Sequence, residues 1–137
     1  MSLVKNDLSP KNFTVKTGSY SHGLSVSDGH TKWVFVTGQI AMDADGNVVS
    51  PGDIAGQAEF IFGNIQKILA EAGASLDDVV KAQLFLTDMS LFGQVSPVRN
   101  KYFANSQPVS TMVEVSALVK DGCMLEIEVI AMKEDER

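Results

Sequence analysis

Hydrophobic and polar residues follow two different periods along the chain, which predicts both a long helix and several strands. From Ile54 to Ala72 the apolar residues recur with the spacing of an amphipathic helix. Asp53 is a candidate N-cap just before this stretch, and Gly73 is suited to the turn that ends it. The face predicted to be buried consists of Ile54, Ala58, Ile61, Phe62, Ile65, Ile68, Leu69 and Ala72.

Runs of β-branched and aromatic residues, bounded by turn residues, predict the strands. Turn residues on both sides of the first run indicate an antiparallel meander in the N-terminal part of the chain. The predicted runs are 32–40, 79–87, 110–116 and 124–133. In the second run, the residues predicted to share one face are Val80, Ala82, Leu84 and Leu86.

A second helical pattern extends from Phe92 to Phe103, with Pro97 in its interior. Proline disrupts the hydrogen bonding of a helix, so either the helix kinks there, or Ser96 caps a new helix that begins at Pro97. The resulting order is βββ-α-β-α-ββ, which predicts an α+β fold with both helices on one face of a mixed sheet. The length of the chain indicates a single domain over residues 1–137.

The sheet face opposite the helices is predicted to be only half apolar. Phe85 shares this face with Lys81 and Gln83, and Ile130 and Met132 share it with Glu126 and Glu128. Leaving such a surface in water is unfavourable, because its apolar part stays hydrated. The pattern therefore predicts self-association through this face.

Composition and charge exclude several classes of function. The formal net charge of -6 argues against a nucleic-acid partner, since phosphate binding needs clustered Lys and Arg. One cysteine cannot form an internal disulfide framework, and with two histidines the sequence shows no metal-ligand spacing. No apolar run reaches membrane-spanning length and no secretory signal pattern is present, so we expect a cytoplasmic protein without a membrane partner.

Four short motifs, in this order and spacing, resemble the Rid family of reactive-intermediate deaminases, also called the YjgF or UK114 family. The motifs are Gly18-Ser19-Tyr20-Ser21, Thr37-Gly38-Gln39-Ile40, Pro108-Val109-Ser110-Thr111-Met112 and Leu125-Glu126-Ile127-Glu128. The resemblance implies a chorismate-mutase-like fold and a homotrimer with clefts between subunits. It also implies a small-molecule metabolite as ligand, no cofactor and no metal, and hydrolysis of enamines or imines to carbonyl compounds and ammonia.

The resemblance also assigns roles to individual residues. The predicted catalytic residues are Glu126 and Thr37. Glu126 matches the glutamate that positions water in catalytic family members. The predicted substrate-binding residues are Tyr20, Gly38, Ser96, Ser110 and Thr111. For several of these residues the sequence leaves a purely structural alternative open: Glu126 as a partly exposed strand residue, Tyr20 as interface packing, and Thr37 as an ordinary strand hydroxyl.

Ser110 stands where catalytic family members have an arginine that binds the substrate carboxylate. A guanidinium offers two parallel N–H groups to a carboxylate, and serine cannot replace that contact. We therefore expect activity on 2-imino acids to be weak or absent, unless another cation takes over. Arg99 and Lys120 are the candidates, although the turn position of Lys120 favours solvent and a solvated or ion-paired Arg99 is the simpler expectation. The alternative function is a non-enzymatic, metabolite-binding or regulatory trimer.

Overall fold

One six-stranded sheet, with two helices packed against one of its faces, makes up the fold. The structure is a computed structural model that describes residues 2–135. The strands are β1 (Val4–Leu8), β2 (Gly23–Ser27), β3 (Thr31–Ile40), β4 (Val79–Leu86), β5 (Val109–Glu114) and β6 (Leu125–Glu134); the helices are α1 (Ile54–Glu71) and α2 (Phe92–Tyr102). The predicted α+β class and the predicted order of elements are confirmed.

The strands lie in the order β1-β2-β3-β6-β4-β5. All neighbouring strands are antiparallel except β4 and β5, which run parallel. The last strand, β6, thus lies between the meander β1-β2-β3 and the pair β4-β5. This insertion places the C-terminal motif beside the Thr37-Gly38-Gln39 motif of β3.

Helix α1 forms as its sequence predicts. The Asp53 side chain accepts a hydrogen bond from the backbone N–H of Gly56 at 3.0 Å, which caps the first turn. Gly73 has a φ of +71°, a conformation that glycine adopts without steric cost, just past the last turn. All the apolar residues predicted for the buried face of α1 are buried, and they pack on β3, β4 and β6.

Two polar side chains lie within this buried face of α1. The Gln57 side chain accepts from the N–H of Met124 at 2.8 Å and donates to the carbonyl of Gly122 at 3.0 Å. The Asn64 side chain donates to the Thr14 hydroxyl at 3.0 Å. Because buried polar groups are costly without partners, these bonds fix α1 to the segment before β6 and to the segment before β2.

The predicted face of β4 needs one correction, at its first residues. Val79 is buried and Val80 is 42% exposed, so the prediction that Val80 shares a face with Ala82, Leu84 and Leu86 is wrong. The cause is an irregularity in the pairing of β4 with β6 between Val79 and Lys81, which interrupts the alternation of side chains. Beyond it the alternation is regular, and Ala82, Leu84 and Leu86 are buried as predicted.

Helix α2 continues through Pro97 without a new start. It begins after a 3-10 turn at Met89–Leu91, so the alternative in which Ser96 caps a second helix is wrong. The Ser96 hydroxyl instead accepts a hydrogen bond from the Arg99 guanidinium at 3.2 Å. Val95 is the buried residue of α2, and Tyr102 and the adjoining Phe103 pack on Phe62 of α1.

No helix within residues 2–135 is both long enough and apolar enough to cross a lipid bilayer.

Candidate functional site

A small cavity of about 110 Å³ lies beside the carboxyl group of Glu126, where β3 and β6 meet. We refer to it as the Glu126 cavity. Four of the residues that the sequence predicted for the site line it: Tyr20, Thr37, Gly38 and Glu126. Residues from three separate parts of the chain thus line one cavity.

A bulge in β3 shapes the wall of this cavity. The pairing of β3 with β6 is regular up to Val36 and resumes, shifted, at Gln39. Thr37 and Gly38 therefore lie outside the regular ladder, an arrangement that redirects side chains next to binding sites. The Thr37 N–H donates to the His22 carbonyl at 2.9 Å and its hydroxyl to the Ser21 carbonyl at 2.5 Å, which holds the bulge against the segment that carries Tyr20.

Because Gly38 has no side chain, the Glu126 side chain can occupy the space beside it. A Cβ atom added to Gly38 would lie 2.7 Å from Cδ and 3.0 Å from Cγ of Glu126. Any larger residue at this position would therefore displace the Glu126 carboxylate. The role of Gly38 in the cavity is to permit this close approach.

The environment of Glu126 favours its protonated form. Burial raises the pKa of this carboxyl above its ordinary value of 4.5, and the nearby charge of Glu128 raises the pKa further. The salt bridges among residues 2–135 join Lys32 to Asp135 and Lys101 to Glu59, so none of them compensates Glu126. A carboxyl group whose pKa is raised in this way can take up and release protons closer to neutral pH.

Two ionisable residues of the Glu126 cavity, Lys120 and His22, were not assigned to it from the sequence. Lys120, expected to extend into solvent, is half-buried and lines the cavity. His22 is buried there, in edge contact with the rings of Phe13 and Tyr20. Burial lowers the pKa of His22, which favours the neutral imidazole. The turn-rich segments around His22 and Lys120 gave no periodicity from which their direction could be read.

The remaining predicted residues lie elsewhere on the chain. Ser110 lines a groove of about 410 Å³ between α2 and the start of β5, which we call the Ser110 groove. Arg99, Phe103, Gln107 and Pro108 belong to its walls, together with Asn100 and Ala104. Ser96 lies on α2, one helical turn before Arg99, and is bonded to its guanidinium. Thr111 is exposed on β5 and paired with Gln83.

The Glu126 cavity and the Ser110 groove lie on opposite sides of the sheet in one chain. Ser110 is in register with the buried Ala82, on the side of the helices, whereas Glu126 alternates with the buried Leu125 and Ile127. β4 separates the two strands, so the residues are also roughly 10 Å apart across the sheet. A single chain therefore cannot bring Ser110 and Glu126 to one ligand.

Among residues 2–135, no group of three or more His, Cys, Asp and Glu side chains is arranged to hold a metal ion.

The fold and the cavity define an α+β protein in which a bulged strand and the last strand of the sheet border a small cavity beside a partly buried carboxyl group. Residues 11–133 match the model of a protein family described as endoribonuclease L-PSP. The chain therefore belongs to this family, which is also known as the Rid or YjgF/YER057c/UK114 family.

The similarity to known relatives extends over most of this chain and most of each relative. A RutC family protein of Pyrococcus abyssi is 42% identical over 117 residues, which cover 85% of this chain and 88% of the relative. The 2-iminobutanoate/2-iminopropanoate deaminase of Rattus norvegicus is 32% identical and is matched over 96% of this chain and 93% of its own. The crystal structure of E. coli TdcF with bound serine has a TM-score of 0.78 at 30% identity and covers 93% of this chain and 98% of TdcF.

Proposed function

We propose that this protein hydrolyses imines or enamines to carbonyl compounds and ammonia, in a cleft formed between the subunits of a homotrimer. The observation that carries the proposal is the Glu126 cavity, in which a partly buried carboxyl group with a raised pKa faces Tyr20 and the bulge at Thr37–Gly38. Similarity to a 2-iminobutanoate/2-iminopropanoate deaminase supports the reaction class.

The chemistry needs an oriented water molecule and one group that transfers protons. In its ionised form Glu126 takes a proton from water as the water oxygen adds to the imine carbon, and it passes this proton to the imine nitrogen. The hydroxyl proton of the resulting carbinolamine is then transferred through Glu126 to the amino group, the C–N bond breaks to release ammonia, and the C=O bond forms. A carboxyl group with a pKa raised towards neutral suits both the uptake and the release of the proton.

The separation of the two parts of the site supports a cleft shared between subunits. In one chain the Glu126 cavity and the Ser110 groove open on opposite sides of the sheet. Both hold residues that the family resemblance assigns to one cleft. A neighbouring copy that places its Ser110 groove against the Glu126 cavity would complete the site.

The reaction is tested by measuring ammonia release from imines generated in solution by an amino-acid oxidase. We expect the wild-type protein to accelerate release above the rate of spontaneous hydrolysis. A panel that combines these 2-imino acids with carboxylate-free imines, generated from simple amines by an amine oxidase, separates the substrate classes. If no imine or enamine in the panel is hydrolysed faster than in buffer, the protein is not a deaminase, and the metabolite-binding alternative takes its place.

The proposed trimer gives a second expected result, in light scattering. The sheet face away from the helices carries a groove of about 480 Å³, and Trp33 and Phe35 on this face are 42% and 40% exposed. Covering such a face on association removes apolar surface from water. We expect a particle of about three times the chain mass of 14.7 kDa. A monomer at micromolar concentration would exclude the shared cleft.

A further inference from the structure

Arg99 lines the Ser110 groove, and residues of its own helix hold its guanidinium. Its Nε donates to the Asn100 side-chain oxygen at 3.2 Å and one terminal nitrogen donates to the Ser96 hydroxyl at 3.2 Å. Its Cζ lies 6.0 Å from the centre of the Phe92 ring. Ser96 and Phe92 precede Arg99 on α2, and Asn100 belongs to the wall of the groove, so the side chain lies along the helix at the edge of the groove.

Arg99 has no carboxylate partner among the described residues. The salt bridges of residues 2–135 involve Lys32 and Lys101, and the only other arginine of the sequence, Arg137, lies outside the described residues. A guanidinium carries five N–H donors, and the two bonds to Ser96 and Asn100 use neutral acceptors. The charge of Arg99 and its remaining donors are available to an anion in the groove.

The backbone beside Arg99 is strained in a way that fits a binding site. Gln107 has a φ of +44°, in the left-handed region, immediately before Pro108. Residues before a proline prefer an extended backbone, so this conformation is unfavourable in isolation. Both residues line the Ser110 groove. Strain of this kind persists where the surrounding structure enforces it, and it is concentrated at ligand sites.

We propose that Arg99 binds the carboxylate of a small organic acid in the Ser110 groove, and so supplies from helix α2 the contact that Ser110 cannot make. This inference rests on the proposed function, since it defines which imines the cleft accepts: those derived from amino acids. The short Ser110 side chain leaves space for the acid, and its hydroxyl adds one neutral hydrogen bond. The planar guanidinium can present two parallel N–H groups to the carboxylate.

The proposal is tested by calorimetric titration with 2-oxobutanoate and with 2-oxobutanamide, in which an amide replaces the carboxylate. We expect the wild type to bind the acid and to bind the amide about tenfold more weakly or worse, because the charge-assisted contact is missing. Arg99→Gln should lower the affinity for the acid about tenfold or more, while its weak affinity for the amide stays the same. An Arg99→Gln variant that binds the acid as the wild type does would overturn the proposal.

Two further variants place the contact in the groove. Lys101→Gln removes a charge from the same helix, but Lys101 is paired with Glu59, so we expect it to bind the acid as the wild type does. In the double variant Arg99→Gln/Ser110→Arg, the new arginine extends from β5 into the same groove and should restore the affinity. Loss of acid binding in Lys101→Gln would show that the effect comes from net charge. If the double variant does not recover the affinity, the acid binds at another site and the proposal is wrong.

The titration separates this inference from the proposed function, because it measures binding without turnover. If no imine is hydrolysed but the acid binds in an Arg99-dependent manner, the groove is a carboxylate site of a non-catalytic protein. If imines are hydrolysed but Arg99→Gln lowers neither acid binding nor turnover on 2-imino acids, the function stands and the role of Arg99 is refuted.

Discussion

Replacing Glu126 by glutamine should reduce imine hydrolysis by about 10²- to 10⁴-fold, the usual contribution of a group that transfers protons during a reaction. Glutamine has nearly the same shape as glutamate and can still form hydrogen bonds in the cavity. It cannot take a proton from water. The turnover of Glu126→Gln, measured by ammonia release at saturating imine, should therefore fall without a comparable change in KM.

The same variant should be more stable than the wild type at neutral pH. Because folding raises the pKa of Glu126, the folded state binds its proton more tightly than the unfolded state does. The wild type therefore loses stability as pH rises from the ordinary value of 4.5 through the raised pKa. Glu126→Gln carries no charge and escapes this loss, so its advantage in thermal denaturation should shrink as the pH is lowered towards 4.5.

Glu128 provides the matched control for both effects. It lies two residues further along β6, on the same face, and lines the groove of about 480 Å³ on the sheet face away from the helices, not the Glu126 cavity. Glu128→Gln should keep most of the activity. Since the charge of Glu128 raises the pKa of Glu126, its removal should also shift the acidic limb of the pH–rate profile to lower pH. Equal losses of activity in the two variants would indicate a general role of negative charge in place of a catalytic role of Glu126.

The sequence was sufficient to predict the fold because its local signals agree with each other. Helix α1 has an N-cap, a continuous apolar stripe and a terminal glycine, and each of these indicates the same boundaries. The buried Gln57 and Asn64 could not be read from that stripe, since a polar residue next to an apolar face looks like a surface residue. Their partners, Met124, Gly122 and Thr14, are distant in sequence and are brought close only by the folded chain.

The motifs do not determine how their residues are arranged in space, for a similar reason. Of the residues chosen from the motifs, Tyr20, Thr37, Gly38 and Glu126 line one cavity. The motifs gave no indication that Ser110 lies on the other side of the sheet, because that depends on the parallel register of β5 with β4. Nor could they show that Arg99 borders the same groove, since this depends on the packing of α2 at the edge of the sheet. Both facts follow from tertiary contacts and neither from local pattern.

Gly38→Ala should reduce imine hydrolysis by about 10²-fold and leave the fold intact. The added Cβ would lie 2.7 Å from Cδ of Glu126, so the carboxylate has to move. The group that moves is the end of a flexible side chain, which can turn aside at little cost in stability. A displacement of roughly 1 Å is nevertheless enough to cost about 10²-fold in rate when a catalytic group must stay aligned with its substrate.

Gly63→Ala is the control for the effect of exchanging a glycine. Gly63 lies within α1, and a Cβ added there would have no atom within 4 Å apart from the adjoining residues and backbone of its own helix. We expect unchanged activity and a gain in stability of up to about 1 kcal/mol, because alanine favours a helix. For Gly38→Ala, thermal denaturation should show a melting temperature near that of the wild type together with the loss of turnover. Full activity in Gly38→Ala would mean that the position of the Glu126 carboxylate does not matter, and Glu126 would then lose its proposed role in the reaction.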